Sequence, residues 1–195
     1  ACFYGYHVRG GAVGVGIALV VAAWGVMALE PDQEFAQRPI DVRVEVGERG
    51  VGRNVIATVH EVVIAEALTH EDEYNPWNGT TTGTWIVVFA SVESVIDGGS
   101  LTATLEYADL IVAASPRPPI RFSLESRALE AGIAETGWLA FEVPADTPLA
   151  ETATVRISDT IDFRLDTVIV VRLDLASAPR VTEFIMPVVE TAVIR

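Results

Sequence analysis

Lysine is absent from this sequence of 195 residues: all 13 cationic side chains are arginines, set against 27 Asp and Glu for a net charge of -14. A chain so acidic lacks the basic footprint that phosphate neutralisation needs, which excludes nucleic acid as a partner. Its one cysteine, Cys2, excludes an internal disulfide framework and a cysteine-rich zinc module. The three histidines, His7, His60 and His70, leave little room for imidazole chemistry, and no G-x-S-x-G sequence marks a nucleophilic serine. The length suits one domain with an appendage. Arginine without lysine is the usage of a GC-rich bacterial coding sequence.

Charge is also missing from the start of the chain. Residues 1–29 hold no acid and one base, Arg9, and residues 10–29 (GGAVGVGIALVVAAWGVMAL) hold no charge at all. As a helix rising ~1.5 Å per residue, that run spans ~30 Å, the thickness of a bilayer's hydrocarbon core. Trp24 falls near its C-terminal end, where aromatic rings favour the interface, and Glu30, Pro31, Asp32 and Glu34 end it. Residues 1–9 therefore read as a short tail, 10–29 as a transmembrane helix acting as a signal anchor, and 30–38 as a linker. A cleaved signal peptide with Val26-Met27-Ala28 before the cut is the competing reading, although such apolar runs are usually ~7–15 residues. Gly10, Gly14, Ala18 and Ala22 form a small-residue stripe of the kind that packs transmembrane helices, or follow by chance from abundant Gly and Ala. Arg38, Arg43 and Arg49 balance Arg9, so charge does not orient the segment. Long domains translocate largely regardless of charge, and the C-terminal part is expected outside the cytoplasm.

Beyond the linker the pattern is one of strands. Residues 40–46 (IDVRVEV) alternate apolar and polar without a break, as a half-buried strand does. After a turn at 47–52 comes a long β-branched run, 54–68, whose apolar phase shifts at Val62-Val63, the sign of a bulge or a strand break. A polar loop is expected over 69–83. Residues 85–90 (WIVVFA) are apolar on both faces, as in a central strand. Asp97-Gly98-Gly99-Ser100 is a turn signal before an alternating run at 101–107. A short strand follows at 110–113, then alternation at Ile120, Phe122 and Leu124, and a loop at 131–137. Leu139, Phe141 and Val143 line the next strand; Val155 and Ile157 suggest another, and 163–175 is the last long one. Strands at this spacing without a soluble helix point to an all-β chain, an antiparallel β-sandwich over 39–178. The tail 179–195 has apolar stretches at 181–186 and 188–194 that suit edge strands or a partner.

Three segments carry a resemblance: the aromatic-led run 83–89 (GTWIVVF), Ser115-Pro116-Arg117, and 129–144 (LEAGIAETGWLAFEVP). The chain resembles the telokin-like, immunoglobulin-type extracytoplasmic domains of small actinobacterial membrane proteins, a group of unknown function. The resemblance implies an immunoglobulin-like fold over roughly 35–175 and transfers no catalytic residues.

Candidate sites are few. His70, Glu71, Asp72 and Glu73 could ligate Ca²⁺ or a transition metal, but the spacing lacks the Gly and alternate positions of an EF-hand loop, and a solvated acidic loop is the plainer reading. Asp159, Asp162 and Asp166 are a second acidic group read the same way. Tyr74 and Trp77 suit contacts to carbohydrate or protein, or pack back onto the sandwich. His60 reads as an outward or satisfied strand residue, and Trp85 and Trp138 as core. Asn78-Gly79-Thr80 matches a glycosylation acceptor, though Asn-Gly also makes turns. The expectation is a membrane-anchored, non-enzymatic interaction module of the cell envelope with no cofactor, its partners the membrane and other envelope proteins. A module binding cell-wall glycan or a metal ion is the alternative, and an envelope hydrolase comes third.

Overall fold

The computed structural model describes residues 10–28, 37–70, 72, 76–125, 127–149, 151–162 and 164–193. The chain divides into two compact units, Ala1–Arg38 and Pro39–Arg195. In the first, α1 (Gly10–Ala28) has no acid in its first turn and no base in its last. Its side chains are described from 14 to 27, and the apolar ones there, Trp24 included, are exposed. Among the described residues no helix is long and apolar enough to cross a membrane.

The second unit is a β-sandwich. One sheet orders β1 (Ile40–Glu45), β11 (Thr167–Asp174), β10 (Thr152–Ser158), β6 (Thr102–Tyr107) and β7 (Leu110–Ala113). The other orders β12 (Arg180–Ile185), β3 (Val55–His70), β4 (Trp77–Ser94), β9 (Ile133–Val143) and β13 (Glu190–Val193), with β2 (Arg49–Val51) also pairing with β3. A two-residue ladder joins β5 (Gly99–Ser100) to β8 (Ala128–Leu129). Two pairings, β1 with β11 and β12 with β3, are parallel, which corrects the expected all-antiparallel arrangement. Each places a terminal segment of the domain along the edge of a strand remote in sequence, where no short turn dictates direction.

Between the sheets, Val55, Ala57 and Val59 point inward, and then Val62 and Ile64 do. A strand cannot change from odd to even without one extra residue. That residue is His60: Val59 lies opposite Ala90 and Glu61 opposite Phe89. His60 faces outward, with Nε2 at 2.8 Å from Ser91 Oγ. The outer face of the second sheet is buried as well, which is why 85–90 is apolar throughout. There Trp85, Val87 and Trp138 cluster with Leu68, Phe122 and Met186. The Trp138 ring lies 4.8 Å from Phe89 and 4.6 Å from Phe184. Trp138 and Phe141 thus fill opposite faces of one strand, each buried.

Four expectations change. The loop predicted at 69–83 is mostly strand: Trp77 to Thr80 ladder with β3, Thr81 and Thr82 fall in the register shift between Ala65 and Ala67, and threonine is a good strand former. The loop at 131–137 is likewise strand from Ile133; Gly132, at φ +76°, is the turn residue, whereas at Gly137 an added Cβ would press on Val189. Ile120, Phe122 and Leu124 form turns, because Pro118 and Pro119 have no N–H to donate and the Phe122 N–H bonds Pro119 O at 2.8 Å. The last long strand begins at Thr167 rather than 163.

Candidate functional site

At one end of the sandwich, three connections meet around a cavity of about 620 Å³: residues 53–54 ahead of β3, 96–98 after β4, and 159–162 with 166 between β10 and β11. Asn54 ties them together. Its Oδ1 accepts the N–H groups of Ile96 (2.7 Å) and Asp97 (3.0 Å). Its Nδ2 donates to Ser94 Oγ (3.1 Å), to Asp97 O (3.0 Å) and to Asp159 Oδ2. Asp159 is 5% exposed, and its backbone oxygen accepts the Ser100 N–H at 2.9 Å. A Cβ on Gly99 would collide with that same oxygen, so glycine is required where the two connections touch.

Two ion pairs flank this clamp. Arg53 donates to Asp166 through Nε (3.2 Å) and Nη2 (2.6 Å), and the Thr167 N–H adds a bond at 2.7 Å. The Arg53 contact holds the Asp166 carboxyl below the usual carboxylate range. Arg164 grips Asp162 through Nε (2.8 Å) and Nη2 (2.6 Å), which pulls that carboxyl down to about 2. Asp97 and Asp159 make no ion pair within 4 Å among the described residues, although both carboxylates act on the Arg53 guanidinium at longer range. Ile96, 61% exposed, and Ile161, 79% exposed, complete the lining. Among the described residues no histidine, cysteine or serine–base pair lines the cavity. Four carboxylates against two arginines, beside two bare isoleucines, make a lining suited to a cation carried on an apolar stem.

The structure therefore gathers Asp159, Asp162 and Asp166 into one site. The sequence signals were the turn at 97–100 and the acid spacing after 158, but Asn54 carried no signal at all. Of the other acidic candidate, only His70 and Asp72 fall within the described residues. His70 is 6% exposed, with its ring stacked 4.0 Å from Phe122 and 6.2 Å from Trp77, and among the described residues neither ring nitrogen has a hydrogen-bond partner. Asp72 pairs with Arg121 at 3.6 Å. Glu71, Glu73 and Tyr74 lie outside the described residues. Trp77 packs over Gly79 and against the outer aromatic cluster. Among the described residues no group of three His, Cys, Asp or Glu could hold a metal ion.

No protein-family model matches the chain, and no curated protein matches it. Among solved structures it is similar to an uncharacterized β-sandwich protein from Clostridium difficile 630. That match has 13% identity and a TM-score of 0.47, and it covers 74% of this chain and 99% of the other. The likeness is one of β-sandwich architecture alone.

Proposed function

We propose that the chain is a single-pass membrane protein presenting an immunoglobulin-like, non-enzymatic recognition domain outside the cytoplasm, where its loop end engages another envelope protein. The observation that carries the reading is the loop-end cavity, where Asp97, Asp159, Asp162 and Asp166 outnumber Arg53 and Arg164 while Ile96 and Ile161 stand in solvent. Net negative charge beside exposed apolar side chains gives complementarity to a cationic partner with apolar neighbours. The matching partner is a cationic segment with apolar neighbours, and the net charge of -14 would steer it inward. The anchor rests on the twenty uncharged residues 10–29 and on the apolar side chains exposed around α1. The resemblance to telokin-like extracytoplasmic domains agrees with both parts.

Fractionation with proteolysis tests the topology. The protein should stay with membranes through a carbonate wash, be cut by protease added outside sealed cells, and become soluble when residues 1–38 are removed. A full-length soluble chain overturns the anchor, and a protease-protected domain overturns the orientation.

A further inference from the structure

We propose that Asn78 is an N-glycosylation acceptor, taking an oligosaccharide from a lipid-linked pyrophosphate donor; this rests on the outward orientation proposed above. The sequence Asn78-Gly79-Thr80 is the acceptor pattern, with a middle residue other than proline. A turn would be the plain explanation for Asn-Gly. The structure removes it: both residues lie inside β4, Asn78 opposite Thr69 and Gly79 opposite Leu68.

Gly79 has its own structural reason. Its backbone oxygen accepts the Trp85 Nε1–H at 2.8 Å, and a Cβ there would run into the Trp77 ring. Asn78 and Thr80 have none. Both are exposed, and no hydrogen bond reaches either side chain among the described residues. Asparagine is disfavoured in strands, and the Asn78 side chain adds nothing to the backbone ladder that would offset that. Strand alternation sets the Asn78 amide and the Thr80 hydroxyl on one face, two residues apart, so an enzyme can hold the hydroxyl while it acts on the amide. The strand is fixed there through backbone alone: Arg117 Nη2 donates to Thr80 O at 2.8 Å and leaves the hydroxyl free.

The step joins Asn78 Nδ2 to the anomeric carbon of the donor sugar. The carbon–oxygen bond to the lipid pyrophosphate breaks, the pyrophosphate leaves with the bonding pair, and the amide nitrogen gives one proton to a base of the transferase.

The test is peptide mass spectrometry on the full chain isolated from the cells that encode it, with protease accessibility measured on the same preparation. The peptide containing Asn78 is expected to carry a glycan mass. Asn78→Gln and Thr80→Val should abolish it and Thr80→Ser should keep it, all three with unchanged melting because the native side chains bond nothing. An unmodified Asn78, or one showing only the small mass gain of deamidation, on a domain that protease reaches from outside overturns the proposal and leaves the orientation standing. A protected domain overturns both, since the acceptor then never meets its donor.

Discussion

Replacing Asn54 with alanine should loosen the loop end more than its partial exposure suggests. The amide accepts two backbone N–H bonds and donates to Ser94, Asp97 and Asp159. Neutral bonds of this kind contribute ~0.5–1.5 kcal/mol each, and bonds to a charged group ~1.5–3. The bonds flagged by solvent contribute at the low end, and the buried Asp159 would be left with Ser94 Oγ at 3.4 Å as its side-chain donor. A loss of about 3 kcal/mol is expected, read by urea denaturation followed through tryptophan fluorescence. Asn54→Asp separates the contributions. It keeps an acceptor for Ile96 and Asp97 but sets a carboxylate against Asp159, and two facing carboxylates resist joint ionisation. That variant should be the weaker of the two at neutral pH and recover as pH falls. If Asn54→Ala costs less than about 1 kcal/mol, the size of an ordinary surface change, the amide is not the clamp.

Trp138→Ala and Phe141→Ala should each cost ~3–5 kcal/mol, because one fills the outer cluster and the other the inter-sheet core; equal and small losses in a melting series would contradict the two-faced burial. His70→Phe should raise stability by about 1 kcal/mol, since an unbonded buried polar group costs ~1–3 and the stack with Phe122 is retained; a drop of that size would mean that the imidazole has a partner after all. Asp166 is held below its ordinary range by Arg53, so its contribution is complete above the unfolded value of about 3.9 and is lost as pH falls through the lower folded value. Asp166→Asn should therefore flatten the acid limb of the stability profile and leave its slope between about pH 5 and 8 unchanged, and an altered slope in that neutral window would count against the pairing.

Much of the fold is legible in local pattern. The alternation of 40–45 is β1, the two-faced run 85–90 is the middle of β4, and the apolar phase shift read at Val62-Val63 reflects a bulge that sits slightly earlier, at His60. Each follows from the period-2 geometry of a strand, which a single segment carries by itself. Polar composition misled at 69–83 and 131–137, where threonine and glycine look like loop but ladder into sheet. Parallel edges could not be read, because β1 and β12 meet partners more than a hundred residues away. The site was half visible. Its acids are close in sequence, but Asn54 is joined to Asp159 only when β3 and β10 are brought into facing sheets. At the second acidic run, His70 was not legible as buried, because its stacking partners Phe122 and Trp77 meet it only on the outer face of the folded sheet.

The loop end as a recognition surface is tested most directly by site-specific photocrosslinking in native membranes. A photoreactive phenylalanine analogue would replace Ile161 in one strain and Ile111, equally bare on the β7 edge, in another. Position 161 should give one discrete protein adduct that position 111 does not, and Asp97→Asn should weaken it as expected for a cationic partner. Equal labelling from both positions, or an adduct at 161 indifferent to Asp97→Asn, would contradict the assignment of recognition to this end.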